Sequence, residues 1–166
     1  MFAAEAGAGA DVNLSQLTGD NDLSSPDGLG FSAATGLLWI QTDDSAYSDV
    51  TNCRMLAAMP GEVGDGGPTT VKNSLSGNSV DALMQKGKNP TVETLRRFLV
   101  GPADGELTGM AETPDGKALF VNVQHPGDST KSVAGTFTSN WPGGGTSRPR
   151  SATIVITRKD GGPIGV

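Results

Sequence analysis

The sequence contains few residues of the kinds that form covalent cross-links or soft-metal sites. Its 166 residues include one cysteine, Cys53, and one histidine, His125. A single cysteine excludes an intrachain disulfide and a cysteine-rich zinc site. We expect Cys53 to be a small buried residue of a strand rather than a nucleophile. Hydrophobic residues make up only 36% of the chain, so the predicted core is modest.

Basic residues and long apolar runs are also scarce. The net charge is −6, and the basic residues are scattered, which argues against a nucleic-acid partner. The clusters Arg96-Arg97 and Arg148-Pro-Arg150 flank predicted strands and are interpreted as exposed edge charges. No run approaches the ~20 apolar residues of a membrane-spanning helix, so no membrane partner is predicted. The N-terminus lacks the basic and apolar regions of a secretory signal, and the residues alone assign no localisation.

Glycine and proline are abundant, with 24 and 10 copies, and favour many turns over long helices. Two stretches about 81 positions apart repeat one pattern of strand, tight turn and strand. They are Gly28-Leu-Gly-Phe31 with Gly36-Leu-Leu-Trp-Ile-Gln41, and Gly109-Met-Ala-Glu112 with Gly116-Lys-Ala-Leu-Phe-Val-Asn122. Such a repeated hairpin is typical of β-propeller blades, because one copy cannot bury its own apolar face.

Apolar runs between turn signals predict seven strands. They lie at 28–31, 37–41, 53–58, 95–100, 107–112, 118–123 and 151–157. Because a blade has four strands, we predict an all-β partial propeller of about two antiparallel blades. A first blade spans about 25–100 and an incomplete second blade about 105–166, after an N-terminal extension at 1–24. Two long insertions, 60–90 and 126–149, interrupt the blades, and a short helix is expected at 79–86, where Val80, Leu83 and Met84 have helical spacing.

A family resemblance rests on seven ordered segments that cover about 25–166. They are Pro26-Asp-Gly-Leu29, Gly36-Leu-Leu-Trp-Ile-Gln-Thr-Asp43, Arg97-Phe-Leu-Val-Gly-Pro102, Glu106-Leu-Thr-Gly109, Leu119-Phe-Val-Asn-Val-Gln-His-Pro-Gly127, Ser139-Asn-Trp-Pro142 and Arg148-Pro-Arg-Ser-Ala-Thr-Ile-Val-Ile-Thr157. This succession resembles the C-terminal part of PhoX-type alkaline phosphatases.

The resemblance implies a six-bladed propeller with calcium and iron in its central funnel, periplasmic or secreted localisation, and hydrolysis of phosphate monoesters. By the same resemblance Glu106 is expected to be a metal ligand. Its place before an inner strand suits a site where blades converge carboxylates on a hard cation. Asp27 occupies a comparable place in the first blade and is the second metal candidate, although a turn role in Ser-Pro-Asp-Gly remains the alternative.

Other polar residues receive no assigned chemistry from the sequence. Asp43 and Asp44 end a strand, where solvated loop carboxylates are common, and they are not chosen as ligands. His125 lies between a strand and Pro-Gly, where a structural hydrogen bond is the usual role. The catalytic and substrate-binding residues stay unassigned.

The favoured function is a fragment or short homologue of a PhoX-like, metal-dependent phosphoric monoester hydrolase that is inactive as an isolated monomer. About two blades fall short of the four that a closed propeller requires. Uncovered blade faces would then be apolar, and we expect them to form a homo-oligomer. The alternatives are a non-catalytic propeller-type binding or assembly module and, less favoured, a calcium-dependent propeller lactonase or esterase.

Overall fold

The computed structural model describes residues 16–23, 25–43, 52–62, 64–131 and 136–166. Most of the predicted extension and Asp44 lie outside these ranges. The strands are β1 (Pro26–Phe31), β2 (Leu38–Thr42), β3 (Arg54–Ala58), β4 (Pro68–Leu75), β5 (Asn78–Gln85), β6 (Leu95–Val100), β7 (Glu106–Glu112), β8 (Ala118–Gln124) and β9 (Ala152–Thr157). In these ranges no helix has the length and apolar character that crossing a membrane requires.

Two antiparallel sheets carry the predicted strands. The first has the order β1-β2-β3-β6, and the second has the order β7-β8-β9. All seven strands predicted from apolar runs are present, with ends that agree to within two residues. A four-stranded sheet followed by a three-stranded sheet is the partial β-propeller expected from the repeat.

The turn between β7 and β8 shows how local sequence sets this register. Asp115 Oδ1 accepts hydrogen bonds from the Lys117 amide at 3.1 Å and from the Thr113 hydroxyl at 2.7 Å. The Gly116 amide donates to the Thr113 carbonyl at 2.8 Å. The Pro-Asp-Gly-Lys turn therefore reverses the chain between two apolar strands, as predicted.

The predicted helix at 79–86 is wrong, because this segment forms β5. It pairs with β4 in continuous register from Pro68↔Gln85 to Leu75↔Asn78. Ser76 and Gly77 have φ of 49° and 80°, and two successive residues with positive φ close a hairpin with a type I′ geometry. The spacing of Val80, Leu83 and Met84 fits a helix, but Val80, Ala82 and Met84 alternate equally well along one face of a strand.

The main core lies between the two sheets. It unites Trp39 and Met55 of the first sheet with residues of β7 and β8, and with Ile164 from the C-terminal segment. The buried members from β7 and β8 are Leu107, Leu119, Val121 and Val123. Strand β7 contacts β1, β2 and β3, so the edge of the second sheet that bears Glu106 faces the first sheet. This packing places the ends of β1 and β7 side by side.

The opposite face of the first sheet carries a second core, formed by Ile40, Leu56, Ala58 and Leu95 together with Leu17. Residues 16–23 cover it, and they are fixed by polar contacts as well. Asp20 forms an ion pair with Arg97 at 3.2 Å, and the buried Arg54 guanidinium donates to the Gly19 carbonyl at 2.6 Å. A segment predicted as an extension therefore packs on the blade.

Cover on the two outer faces is incomplete. On the first sheet, Leu29 and Phe31 of β1 are each 68% exposed. On the second sheet, Val155 is 56% exposed and Phe120 lies near it on the neighbouring strand. Each sheet thus buries one apolar face against the other and leaves apolar residues on its outer face.

Candidate metal centre

Strand topology brings the ends of four strands to one edge. Asp27 lies near the start of β1, and Asp43 directly follows β2, its antiparallel partner. Glu106 begins β7, and His125 directly follows β8, which is antiparallel to β7. Because β1 and β7 contact each other, the pair Asp27 and Asp43 lies at the same edge of the packed sheets as the pair Glu106 and His125. The structure therefore brings both sequence-predicted metal candidates together.

Asp27 occupies an irregular position in β1. The pairing of β1 with β2 shifts between Pro26 and Gly28, so Asp27 is the extra residue of a β-bulge. Bulges redirect a side chain and are frequent beside active sites. Asp27 is exposed, yet its carboxyl approaches Glu106 closely enough to share a hydrogen bond. The turn role considered for this residue is replaced by a place within a strand.

Glu106 is buried, with only 7% of its surface exposed. Burial raises the pKa of its carboxyl, and the charge of Asp43 and the hydrogen bond and charge of Asp27 raise this pKa further, whereas His125 lowers it. Ionised carboxylates at such close range repel one another. Without a cation, the Glu106 carboxyl therefore favours its protonated form more than an ordinary glutamate does.

His125 contacts the same carboxyl from the second sheet. Its Nε2 lies 3.3 Å from Glu106 Oε2, and its Nδ1 lies 4.0 Å from Asp128 Oδ1. The backbone is unusual, with φ of 32°, and the His125 amide donates to Ser151 Oγ at 2.9 Å. A strained non-glycine residue held by surrounding contacts is frequent at functional sites. The sequence singled out His125 but did not connect it to Glu106.

Asp104, which the sequence analysis did not single out, organises the loop behind this edge. Its carboxylate accepts hydrogen bonds from the Ser129 amide and hydroxyl, both at 2.7 Å, and from the Thr138 hydroxyl. Burial raises the pKa of Asp104, but these hydrogen bonds from Ser129 and Thr138 outweigh burial and leave the pKa lowered. Asp104 is therefore held ionised and ties 126–130 to the start of β7.

Other residues discussed in the sequence lie away from Glu106 and Asp27, here called the carboxyl pair. Asn122 accepts a hydrogen bond from Thr153 on the exposed face of the second sheet at 2.7 Å. Trp141 packs at the border of the main core. Cys53 is buried beside β3, as predicted. Asp44 lies outside the described residues, so the structure does not locate its carboxylate.

The carboxyl pair fits a hard cation but supplies only part of a ligand set. Carboxylate oxygens are the ligands that Ca²⁺ prefers, and it takes six to eight oxygens. Glu106 and Asp27 approach each other, and Asp43 is close enough to raise the pKa of Glu106. Across the described ranges, however, no three His, Cys, Asp or Glu side chains converge on one metal position. Further ligands would have to come from other atoms.

Comparisons with known proteins agree with the resemblance in the sequence. The chain is similar to a solved structure described as Pseudomonas fluorescens PhoX in complex with vanadate, a transition state analogue. The two share 35% sequence identity with a TM-score of 0.57. The match covers 87% of this chain and 20% of that chain, so this chain spans about a fifth of that protein. Curated proteins gave no match.

A family model reaches the same result from the sequence. The model described as alkaline phosphatase PhoX matches residues 1–127, which is more than three quarters of the 166 residues. The quoted segments beyond 127 lie outside this match. Family match, structural match and the all-β architecture agree, and the chain therefore belongs to the PhoX alkaline phosphatase family.

Proposed function

We propose that this chain is a fragment or short homologue of a PhoX-like phosphatase that acts on phosphate monoesters, and that Glu106 and Asp27 are two of its metal ligands. The observation that carries the proposal is the approach of these carboxyls at one edge of two packed sheets. Family membership supplies the reaction class, phosphoric monoester hydrolysis. Catalytic and substrate-contacting residues are not assigned.

Calcium and iron are the proposed metals. Both carboxylates suit calcium, and a carboxylate–histidine surrounding also accommodates iron. Bound at this edge, such cations would neutralise phosphoryl oxygens and lower the pKa of a coordinated water. A bound cation would favour the ionised form of Glu106 and so oppose the raised pKa of this carboxyl.

The chain's own residues have positioning roles in this proposal. The bulge at Asp27 turns its carboxyl toward the second sheet, and burial of Glu106 fixes its carboxyl at the start of β7. His125 Nε2 lies 3.3 Å from Glu106 Oε2 and so helps to fix the position of this carboxyl. Such preorganisation aligns ligands before the metal arrives.

The isolated monomer is proposed to be inactive. Two neighbouring carboxylates fall well short of the oxygen ligands that calcium takes, and the described residues add no third convergent ligand. A phosphoryl group also needs several fixed charges around it to be attacked efficiently. The remaining groups would come from chain beyond this sequence or from other copies of it.

Calcium binding tests the site directly. Isothermal titration calorimetry at pH 7 should show that Glu106→Gln weakens calcium binding by about tenfold or more, because it removes an anionic ligand. Glu93→Gln, which changes an exposed turn residue by the same charge, is the matched control and should bind calcium normally. Equal binding by all three proteins would contradict the metal assignment.

Hydrolysis of a chromogenic phosphate monoester with calcium and iron, against a chelator control, tests the reaction. A monomer should show no turnover. If metal-dependent activity occurs, it should require Glu106 and be confined to associated copies. Metal-dependent turnover that persists at the wild-type rate in Glu106→Gln would contradict the proposed function.

A non-catalytic assembly module remains the second candidate, favoured by the β4-β5 hairpin. One face of the hairpin, here called the hairpin apolar face, consists of Thr69, Val71, Asn73, Leu75, Asn78, Val80, Ala82 and Met84, as the register requires. Leu75 is 80% exposed and Val80 is 68% exposed. In the described structure, β4 and β5 contact only each other among the strands.

The proposed occupant of the hairpin apolar face is a second copy of the same face. A two-stranded hairpin without cover is marginally stable in water. The face carries no charged residue, so a two-fold axis would not oppose like charges, although the chain has a net charge of −6.

Periplasmic or secreted localisation, and the absence of nucleic-acid and membrane partners, complete the proposal.

A further inference from the structure

A cavity of about 400 Å³ adjoins the candidate metal centre on the second sheet. His125 lines the cavity and also contacts Glu106, so this one residue connects the cavity to the carboxyl pair. The other side is formed by the loop before β9, with Arg148, Arg150 and Ser151. The cavity is therefore adjacent to the proposed metals but is not formed by their ligands.

Positive charge dominates this cavity. Lys131, Arg148 and Arg150 line it, and among the described residues that line it Asp128 is the only carboxylate. None of the three cations forms an ion pair within the described part of the chain. In contrast, the guanidinium groups of Arg97 and Arg158 are paired with Asp20 and Asp160. Several unpaired cations around one concave surface attract an anion.

The cavity walls are held in place by specific contacts. Asp104 binds Ser129 and Thr138 by hydrogen bonds, and the Arg150 amide donates to the Trp141 carbonyl at 3.2 Å. Gly127 has φ of 79°, and a Cβ there would lie 2.9 Å from Pro149 Cγ. Only glycine lets the two walls approach so closely. The wall that carries both arginines is therefore fixed against the wall that begins at His125.

We propose that this cavity binds a second anionic group of the substrate, so that the preferred substrates are phosphate monoesters whose leaving group carries a carboxylate or another phosphate. The arginine fork binds such oxyanions through paired N–H groups. The inference rests on the proposed function, because the hydrolysed phosphate would lie at the neighbouring carboxyl pair. It extends the expected role of Arg148 and Arg150 from edge charges to substrate selection.

Binding of inorganic phosphate to the metal-free chain tests the cavity independently of hydrolysis. We expect saturable NMR shifts at the amides of Arg150 and Ser151, and about tenfold weaker binding in the double variant Arg148→Gln/Arg150→Gln. The double variant Lys72→Gln/Arg96→Gln removes the same charge from exposed positions outside the cavity and should bind phosphate like wild type. Equal weakening in both double variants would overturn the anion site.

The substrate class is tested by binding two monoesters in the presence of calcium. We expect 4-carboxyphenyl phosphate to bind about tenfold more tightly than phenyl phosphate, and Arg148→Gln/Arg150→Gln to abolish this preference. No preference in wild type would overturn the inference about the second group. A further outcome is that calcium strengthens the binding of neither monoester while the metal-free cavity still binds phosphate. In that case the proposed metal function fails and the anion site stands.

Discussion

The core between the two sheets and the hairpin apolar face have similar sequence patterns but different surroundings. Both consist of strands with alternating apolar residues. Met55, Leu107 and Leu119 in the core are fully buried, whereas Leu75 in the hairpin is 80% exposed. The difference shows that alternating apolar residues predict a strand face that is stable when another element covers it. Whether the face is covered depends on where the other elements pack.

The comparison is tested most strongly by removing one leucine from each region. Leu119→Ala should lower the free energy of unfolding by about 2–5 kcal/mol, because it leaves a cavity between the sheets. Leu75→Ala in the hairpin should change it by about 0.5 kcal/mol or less in the monomer. Urea denaturation at low protein concentration measures both values. Equal losses would show that the hairpin is packed as tightly as the core.

The hairpin apolar face should lose its proposed partner when a charge is placed on it. Val80→Lys should raise the dimer dissociation constant by more than about tenfold, because each lysine would be buried against its symmetric mate. Leu83→Lys changes the opposite face of the same strand, as the pairing of Leu83 with Thr70 shows. It should leave the constant unchanged.

Sedimentation equilibrium of the wild type and both variants measures the association. A wild-type chain that stays monomeric at high concentration would remove the second copy as the occupant. Equal effects of Val80→Lys and Leu83→Lys would instead locate the interface elsewhere on the chain.

Most of the fold could be predicted because each blade strand is a short apolar run between turn residues. The Pro114–Lys117 turn, for example, makes its own hydrogen bonds and so acts locally. The segment 79–86 was wrongly predicted as a helix, because Val80, Leu83 and Met84 fit helical spacing while Val80, Ala82 and Met84 fit a strand equally well. Pairing with β4 decides between them, and pairing is not local information.

The candidate site was predictable in part, for a related reason. The family resemblance singled out Glu106, and a comparable place in the first blade singled out Asp27; their roles as metal ligands stay predictions. The bulge that turns Asp27 toward Glu106 arises in the pairing of β1 with β2, and the contact with His125 follows from the pairing of β7 with β8. The cavity lined by Lys131, Arg148 and Arg150 joins two separate segments of the chain, and the sequence indicated Arg148 and Arg150 only as edge charges.

The smallest expected effect is the pH dependence of the free energy of unfolding that two glutamates contribute. Glu106 lies at the rim of the core, and Glu93 lies on an exposed turn. The pKa of Glu106 is raised, mainly by burial. The folded metal-free chain then binds this proton more tightly than the unfolded chain. The contribution of Glu106 to the free energy of unfolding therefore falls as pH rises from the ordinary glutamate pKa through the raised pKa. For Glu93 the pKa is lowered, first by the hydrogen bond from Thr91, so its contribution is present above the ordinary value and is lost as pH falls.

Urea denaturation from pH 3.5 to 7 in the presence of chelator separates the two residues. Glu106→Gln should gain stability relative to wild type as pH rises through this range, because it removes a buried charge. Glu93→Gln should lose stability relative to wild type over the same range, by a smaller amount, since its side chain is exposed to solvent. Curves for the two variants that shift in the same direction would show that the edge bearing Glu106 is as open to water as the turn, and would remove burial as the cause of its raised pKa.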